Sequence, residues 1–544
     1  MVGRFVMAIV SLAVLCPLAV ISAYALARSL RASEPAAAAV ASYDARACSL
    51  GPKILGRIRR GYIQNRSEDI VFVLRGKNYL GSFKTISHSG PRDFLQRVPL
   101  VLYGPRIEAE GVLDRPVTLA DVYPTVGQLM DIELPERRGR VLSEALVGTA
   151  GIPRLLVVVM WDGVGRNVLD RWPGAWPTLA RLEADGTSFL EATVGSSPSI
   201  TPATHSTLGT GTFPRNHGVT SIKFRRDNGA IGESFKRRNP RELRLSTFAD
   251  EIDLAFDNQP QVGMLAWRNW HMGMLGHGAT LEGGDRDHLG LITRRSRITG
   301  RREFFFTPRY LDGFPGLDRL ADELDARDGV KDGRWRGHDI RADNDNPAWV
   351  AYQAKVLHAL AKREGYGANE TPDVLLTNFK ITDIVGHKYS MDSPEMKDVL
   401  RAQDDALGKL IGYLDSEVED YVVIVSADHG HTPSAESSGA WPLVQHELEA
   451  DLDRRFDVTG STLARSVSAV GVWVNRGVMD EHNITYDEIA TFLNGYTIRD
   501  NWGRSQLPSA YRDRGAEPVF DAAFPGTKLD EAVECAASQS TSAP

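Results

Sequence analysis

Three apolar runs that each end in polar residues dominate the hydrophobic pattern of this chain. The runs occupy residues 153–162 (PRLLVVVMWD), 373–379 (DVLLTNF) and 421–427 (YVVIVSA). Short apolar runs of this kind are typical of parallel strands that are buried on both faces. Helical periodicity follows the first run, from Pro177 onward, and fills residues 393–420 between the other two. This alternation predicts an α/β fold whose sheet is covered by helices on both faces.

The segments around these runs are less regular. Residues 219–370 are rich in Arg, Asp, Gly and Trp, and they are predicted to form a cap inserted into a main catalytic domain of residues 151–515. Residues 55–150 contain two further strands, DIVFVL and VPLVLYG, and a helix around DVYPTVGQLMDIEL. Residues 516–544 are expected to be a tail that frays near its end.

The N-terminal segment differs from the rest of the chain in hydropathy. Residues 5–27 carry no charge, are long enough to cross a bilayer and are flanked by Arg4 and Arg28. Residues 1–30 are expected to be a signal peptide or a membrane anchor; the length of the run favours the anchor, and a buried core helix is the alternative. Residues 31–54 are expected to be a linker. Either export signal would place the rest of the chain outside the cytoplasm, in the periplasm or at the cell surface.

Composition and charge restrict the function. With 544 residues, 42% hydrophobic and 24% charged, the chain is long enough for one large core or for several domains. A net charge of −7 argues against a nucleic-acid-binding protein, which usually carries a basic face. Of the three cysteines, Cys16 lies in the apolar run, and Cys48 and Cys535 could pair in an oxidising compartment. The oligomeric state stays open.

Six candidate metal ligands lie where predicted strands run into polar loops. They are Asp162, Thr201, Asp383, His387, Asp428 and His429. Carboxylates and imidazoles are ligands that suit Zn²⁺, and the D-x-x-x-H spacing of Asp383 and His387 puts both on one face of a helix. Thr201 lies in a polar turn that enters a helix, where its hydroxyl can face a phosphoryl group once a metal lowers its pKa. Such a set predicts a two-metal site that cleaves phosphate esters.

Five motifs carry a resemblance to a known family. They are MWDG, TPATHSTLGTG, FPRNHG, TDIVGH and SADHG, within residues 153–218 and 373–431. On these motifs the chain resembles the alkaline phosphatase superfamily, most closely its nucleotide pyrophosphatase/phosphodiesterase-like branch. The resemblance implies a mixed sheet and two divalent metal ions, expected to be zinc. It also implies Thr201 as the nucleophile of a phosphothreonine intermediate, although Ser197, Ser199 and Thr204 compete for this role.

The resemblance also divides the ligands between the two metals. The metal that activates the nucleophile would be held by Asp162, Asp428 and His429. The second metal would be held by Asp383 and His387 and would polarise the phosphoryl or the incoming water oxygen. A sulfatase is excluded because position 201 holds neither cysteine nor serine.

The last ligand of the family is displaced in this chain. Family members carry it well downstream of the D-H-G motif, but nothing after His431 matches its context. The segment 85–107 does match, with His88 ten residues before Val98-Pro99-Leu100. The resemblance therefore implies a circular permutation, in which residues 55–150 are the C-terminal part of the catalytic domain and His88 is the seventh ligand.

Alternatives to His88 stay open. His446 is its main rival as the last ligand, and the residues before 150 could instead form an unrelated domain. His431 and His482 are interpreted as a loop residue and a helix-flanking residue.

The substrate pocket is less well defined than the metal site. Lys223 stands beside the place of the family's phosphate-binding asparagine and could contact a phosphate oxygen. In the predicted cap, His271 and His277 either line the pocket or are structural. If the chain is permuted, a bridge between Cys48 and Cys535 would tie the two ends that flank the cut.

These patterns together predict an exported, membrane-tethered two-metal hydrolase. Its substrate would be a phosphodiester or a phosphomonoester, it would contact the membrane through its N-terminal segment, and nucleic acid would have no structural role. One alternative is a membrane-tethered transferase that passes a phospho-head group to a hydroxyl instead of water. Another is a binding protein of the same fold that has lost catalysis, which the nearly complete ligand set disfavours.

Overall fold

A nine-stranded mixed sheet forms the centre of the structure. The computed structural model describes residues 42–148, 151–503 and 506–541. In chain order, the strands of this sheet are β1 (Leu100–Tyr103), β2 (Gly111–Thr118), β3 (Leu155–Trp161), β4 (Thr187–Thr193), β5 (Val262–Ala266), β6 (His288–Ile292), β7 (Ile298–Thr299), β8 (Asp373–Phe379) and β9 (Tyr421–Ser426). Their order across the sheet is β7-β6-β5-β8-β3-β9-β1-β4-β2. The mixed α/β fold expected from the sequence is confirmed.

The middle of the sheet is parallel, which decides where a site can form. Strands β6, β5, β8, β3 and β9 run parallel to one another, and every residue of β3, β8 and β9 is buried. Phe379 is in register with Trp161, and Ser426 with Met160. The polar residues that follow these three strands therefore lie at one edge of the sheet, the place where ligands bind in open α/β sheets.

The N-terminal part of the chain contributes two strands to this sheet. Strand β1 lies antiparallel between β9 and β4, and β2 pairs in parallel with β4. The run at Ile70–Leu74, expected to complete the same sheet, instead lies in a separate four-stranded antiparallel sheet with Ala464–Ser468, Gly471–Val474 and Phe520–Pro525. Its faces are buried in two smaller hydrophobic clusters, so its apolar character does not distinguish the two sheets.

The prediction that residues 219–370 form a cap inserted into the catalytic domain is wrong for part of this segment. Strands β5, β6 and β7 lie within these residues and extend the central sheet, and β5 pairs directly with β8. The apolar run VGMLA of β5 is short and is surrounded by Arg, Trp and Gly, which obscured its strand pattern. The helix Pro347–Glu364, also in this region, buries ten of its residues. Part of the predicted cap is therefore core.

The two ends of the compact unit are also more ordered than expected. The linker prediction for residues 31–54 is wrong for its second half, because helices occupy Tyr43–Ser49 and Gly51–Gly61. The prediction that residues 516–544 form a fraying tail is wrong as well, because Phe520–Pro525 is a buried strand and Leu529–Thr541 is a helix. A disulfide joins Cys48 to Cys535, so the first and last of these helices are covalently linked.

Helices cover the two faces of the sheet. The remaining α-helices span Asp93–Gln96, Val122–Leu129, Arg166–Arg171, Pro177–Asp185, Thr201–Thr210, Pro214–His217, Phe248–Ala255, Met272–Leu275, Leu317–Asp325, Ile381–Tyr389, Pro394–Tyr413, Ala435–Ser438, Gln445–Arg455, Arg476–His482 and Tyr486–Gly495. Short paired strands lie at Tyr79–Leu80, Lys223–Arg225, Ile231–Glu233, Arg334–Trp335, His338–Asp339 and Pro442–Leu443.

The described residues from Tyr43 onward belong to one compact unit. The predicted signal peptide or anchor, residues 1–30, lies outside the described residues. Within residues 42–148, 151–503 and 506–541, no helix is both long enough and apolar enough to cross a membrane.

Candidate active site

The candidate nucleophile begins a buried helix. Thr201 is 2% exposed and opens the helix Thr201–Thr210 after Ile200, which is extended. Pro202 at the start of the helix costs nothing, because backbone N–H groups of the first turn have no partner within the helix. The free N–H groups and the helix dipole give this end a positive potential, which favours an anion such as a phosphoryl group.

The predicted ligands of the first metal come together beside Thr201. Single ligand atoms of Asp162, Asp383 and His429 all lie within 4.8 Å of one another. Asp428 is fully buried, and its Oδ2 lies 3.3 Å from His429 Nε2. Its Oδ1 accepts a hydrogen bond of 2.9 Å from the N–H of Gly163, whose φ of 74° requires glycine at the last position of the MWDG motif.

A second group lies next to the first and shares Asp383 with it. Its members are His88, Asp383, His387 and His431. His88 Nε2 lies 3.1 Å from Asp383 Oδ1, and the His88 ring stacks on His429 with the ring centroids 3.6 Å apart. The loop that carries His88 is held against helix Ile381–Tyr389, because the N–H of Ile86 donates to the carbonyl of His387 at 3.0 Å. His88, from far upstream, thus lies among the candidate ligands.

His431 belongs to the site, contrary to its interpretation as a loop residue. Its imidazole is fully buried, and Nε2 lies 3.7 Å from Asp383 Oδ1. It packs on Gly386 of the TDIVGH motif, where any larger side chain would collide with its ring. The sequence signal was present, because His431 stands two residues after His429.

Two other predicted residues lie apart from these groups. His446, the rival ligand, has a side chain that is 80% exposed and lies 3.6 Å from Glu447, so its assignment as a ligand is wrong. Lys223 is exposed at the start of a short strand, and within the described residues no hydrogen bond or ion pair joins it to the site.

Lys380 is the main site residue that the sequence did not suggest. It directly follows β8, and its side chain is 6% exposed. Its ammonium lies 3.0 Å from Asp162 Oδ1, 2.7 Å from Asp383 Oδ2 and 3.5 Å from Thr201 Oγ1. Lysine is rarely buried unless it is paired, and here its partners are the carboxylates themselves. A lysine directly after a buried strand was the available signal.

A further layer of polar residues surrounds Asp162 and Thr201. Asn378 donates from Nδ2 to Asp162 Oδ2 at 3.2 Å, and the same amide lies 2.9 Å from His205 Nε2. His205 Nδ1 lies 2.8 Å from the carbonyl oxygen of Thr201, which fixes the ring within its own helix. Of the two histidines expected either to line the pocket or to be structural, His271 lies 3.3 Å from Asp162 Oδ2.

Comparisons with known proteins identify the family of this chain. A family model described as type I phosphodiesterase / nucleotide pyrophosphatase matches residues 156–496. The chain belongs to this family. The resemblance inferred from the motifs is confirmed.

Curated relatives of this phosphodiesterase-family chain are distant. It is 23% identical over 365 residues to an uncharacterized pyrophosphatase/phosphodiesterase of Schizosaccharomyces pombe, which covers 67% of the chain and 58% of that protein. It is 20% identical over 402 residues to alkaline phosphatase PafA of Elizabethkingia meningoseptica, covering 63% of the chain and 72% of that protein. The chain thus spans less than two thirds of the length of the fission-yeast relative.

Two solved structures are among those that match this chain. The crystal structure of alkaline phosphatase PafA has a TM-score of 0.49 and 16% identity, and the match covers 68% of this chain and 84% of that one. Murine ectonucleotide pyrophosphatase/phosphodiesterase 5 has a TM-score of 0.37 and 15% identity, covering 68% of this chain and 78% of that one.

The buried polar atoms of the phosphodiesterase-family site fit divalent metals. Several of them have no hydrogen-bond partner among the described residues, namely Asp383 Oδ1, Asp428 Oδ2, His429 Nε2 and His431 Nε2. Leaving such atoms buried without a partner is costly, whereas a metal would satisfy them. Two neighbouring sets of carboxylate oxygens and imidazole nitrogens are the donors that Zn²⁺ takes.

The protonation of these groups also favours cations. Burial lowers the pKa of His88 to about 3 and that of His429 well below its ordinary range, so both imidazoles are neutral, the form that binds a metal. Burial, together with the Asp428 carboxylate, raises the pKa of Asp162. Burial also raises the pKa of Asp428 to about 6. Lys380 and His387 outweigh burial at Asp383 and hold its pKa well below its ordinary value.

Proposed function

We propose that this protein is a two-metal phosphate-ester hydrolase in which the Thr201 hydroxyl attacks phosphorus. The observation that carries the proposal is the convergence of this hydroxyl, at the start of its helix, with two adjoining groups of buried carboxylates and imidazoles. Membership of the phosphodiesterase family supports the reaction class. The nucleophile, the number of metals and their identity as zinc are parts of the proposal.

The candidate ligands form two sets, one for each metal. Asp162, Asp428 and His429, together with Thr201, would hold one divalent metal. Asp383, His387, His88 and His431 would hold the other. Bound metals would lower the pKa of a hydroxyl and of water and would offset the charge of the phosphoryl oxygens. The ligand set thus extends the sequence-based set by His431.

The protein itself prepares Thr201 for attack. Asp428 adjoins Thr201, and its carboxylate can accept the proton of the hydroxyl as the oxygen attacks. Lys380, with its ammonium 3.5 Å from Thr201 Oγ1, places positive charge where the alkoxide develops. Attack would form a phosphothreonine and release the alcohol of the ester, and water would then release phosphate or a phosphomonoester. His271 and Asn378 would hold Asp162 in position through their contacts with its Oδ2.

Replacing Thr201 with valine tests the nucleophile. Valine keeps the shape of the side chain and removes the oxygen, so turnover of nitrophenyl phosphate esters should fall at least about a thousandfold. Metal analysis should still give about two zinc ions per chain, since seven other candidate ligands remain. Thr204→Val is the matched control, because Thr204 lies fully buried on the same helix and competes for the role. A Thr201→Val enzyme with wild-type turnover, or an inactive Thr204→Val enzyme, would contradict the assignment.

The ester class is proposed from the family. Its description favours a phosphodiester or pyrophosphate bond, while the relative named alkaline phosphatase keeps a phosphomonoester as the alternative. Parallel kcat/KM measurements on nitrophenyl phosphate, bis-nitrophenyl phosphate and a phospholipid would decide. A preference of at least about tenfold for the monoester would contradict the diester assignment.

We also infer that the chain is circularly permuted. The family match begins at residue 156. Strands β1 and β2, which belong to the central sheet, and His88, which lies in the candidate site, all come before that residue. The Cα atoms of Cys48 and Cys535 are 5.5 Å apart, so a short linker could join these ends. A gene that joins them and opens the chain between residues 148 and 151 should give a folded, active enzyme. An unfolded product of this gene would contradict the inference.

Export and membrane attachment are proposed on the sequence of residues 5–27, with the disulfide as support, because disulfides persist in oxidising compartments. Cell fractionation of the full chain should recover the enzyme with membranes outside the cytoplasm. Recovery with the cytosol, with both cysteines reduced, would contradict both proposals.

A further inference from the structure

A third acidic group lies outside the two active-site groups. It consists of Asp253, in helix Phe248–Ala255, and of Asp285 and Asp287, in the loop that precedes β6. One carboxylate oxygen of each residue lies within 4.8 Å of the others. Asp253 is 5% exposed and Asp287 is 6% exposed, while Asp285 is open to solvent. Two of the three residues are therefore more than nine-tenths buried.

These two buried carboxylates have no partner. Within the described part of the chain, no hydrogen bond or ion pair reaches the side chain of Asp253 or Asp287. Asp250, one turn earlier on the same helix, is different: it accepts from the backbone N–H of His277 at 2.7 Å, and its Oδ2 lies 2.9 Å from His277 Nδ1. The helix thus satisfies one buried carboxylate and leaves the next one unpaired.

The surroundings of these two carboxylates favour a cation. Burial and the neighbouring carboxylates Asp285 and Asp250 raise the pKa of Asp253 to about 7. Burial and the same acidic neighbours raise the pKa of Asp287 well above its ordinary value. Only like charges act on these groups besides burial, and an unpaired buried charge is among the most costly features of a folded protein.

Asn258 provides an additional unsatisfied oxygen on the same two segments. Its backbone N–H donates to the carbonyl of Asp253 at 2.8 Å, and its Nδ2 donates to the carbonyl of Gly283 at 2.9 Å. It therefore joins the end of the helix to the loop that carries Asp285 and Asp287. Its Oδ1 is buried and has no hydrogen-bond partner among the described residues.

We propose that Asp253, Asp285 and Asp287 bind a divalent cation that prefers oxygen ligands, either Ca²⁺ or Mg²⁺. The group offers carboxylate oxygens and no imidazole or thiolate, which selects hard cations over zinc. A spacing of up to 4.8 Å fits one ion, because oxygens on opposite sides of Ca²⁺ are about 4.8 Å apart and those around Mg²⁺ about 4.2 Å. The exposed Asp285 leaves an entry for the ion and room for water ligands.

The cation would link the loop that carries Asp285 and Asp287 to the helix that carries Asp253. Asp285 and Asp287 end a loop that begins after helix Met272–Leu275, and His271, just before that helix, contacts Asp162 of the active site. Neutralising the carboxylates would remove the repulsion between loop and helix and stabilise the folded state by mass action. The site is structural and does not depend on the proposed phosphate-ester chemistry.

Cation binding to the zinc-loaded full chain tests the proposal. Calorimetric titration with CaCl₂ and, separately, MgCl₂ should reveal one site with a Kd on the order of 10⁻⁴ M for at least one of the two ions. The same ion at about 10 mM should raise Tm by roughly 3 °C. The Asp253→Asn/Asp287→Asn variant should lose the titration heat and the Tm response while it retains zinc. Glu282→Gln, an exposed acid of the same loop, should keep both.

Two results would overturn the proposal. One is the absence of any titration heat and Tm response with both ions up to about 10 mM. The other is an equal response in the double variant and in Glu282→Gln, which would assign the ion elsewhere. If the double variant does not fold, Asp285→Asn changes only the exposed ligand and should weaken binding about tenfold; unchanged affinity would again overturn it. Zinc content and esterase turnover, measured in parallel, report separately on the active site.

Discussion

Replacing Lys380 with methionine would remove a positive charge from among the carboxylates of the active site. The ammonium lies 3.0 Å from Asp162 Oδ1 and 2.7 Å from Asp383 Oδ2, and the side chain is 6% exposed. Methionine has a similar length and no charge, so the substitution leaves the packing nearly unchanged. In the metal-free protein it would leave Asp162 and Asp383 buried without a cation.

The magnitude follows from these distances. Each pair is worth roughly 5–6 kcal/mol at an effective dielectric constant of about 20, but much of this is offset by the cost of burying the charges. Breaking a buried pair by removing one partner costs about 3–5 kcal/mol in stability. With metals bound, their charges would replace that of Lys380, and the cost should fall below about 1 kcal/mol. The difference, about 3 kcal/mol, requires that the variant bind the metals about a hundredfold more tightly overall.

Denaturant unfolding of metal-stripped and zinc-loaded protein measures both quantities. Lys409→Met is the control, because Lys409 is exposed and its loss should change stability by no more than about 0.5 kcal/mol. A metal-stripped Lys380→Met protein as stable as the wild type would refute the charge-balance argument. Weaker zinc binding by the variant would refute the second part and show that Lys380 supports the metals.

Three other predictions follow from the site and its surroundings. His431→Ala should weaken the second metal about 10–100-fold, whereas His446→Ala, at an exposed position, should leave zinc content and affinity unchanged, as measured by competition with a chelator. Burial lowers and Asp250 raises the pKa of His277, with a net rise above 6.5. The stabilisation of the fold by the His277–Asp250 pair is therefore fully present below pH 6.5 and is lost as the pH rises through the raised pKa. In thermal unfolding, His277→Gln should thus lower the stability by about 1 kcal/mol more at low pH than at high pH. A loss of stability that does not depend on pH would contradict this. Deleting residues 55–150 removes two strands of the central sheet, one strand of the four-stranded sheet and the candidate ligand His88, and it should leave no folded, active enzyme. An active product would show that this segment is a separate domain.

Much of the core and of the site could be predicted from the sequence. Strands β3, β8 and β9 were recognisable because strands buried on both faces are uninterrupted apolar runs. The polar residues that follow them, such as Asp162 and Asp428, had to lie at the sheet edge if the strands were parallel. Strand β5 escaped prediction because its run is short and its neighbours in sequence are polar.

Other features depended on contacts between distant segments. From the sequence alone, Lys380 is expected to be a solvated lysine. In the structure, the register of β8 with β3 places it beside Asp162. From the sequence alone, His431 is expected to be an ordinary loop histidine. In the structure, it packs on Gly386, where only glycine leaves room for its ring. The local signals, a lysine directly after a strand and a histidine two residues after His429, do not by themselves identify either contact.

The sequence by itself determined the central strands β3, β8 and β9 and the order of the candidate ligands, because periodicity and strand-end polarity are local properties of the chain. Only the tertiary structure decided which atoms share a site. It placed His88 and His431 with Asp383, excluded His446, and brought three unpaired carboxylates of a helix and a loop together. The physical reason is that the cost of a buried charge depends on its neighbours in space, and these neighbours come from parts of the chain that are far apart in sequence.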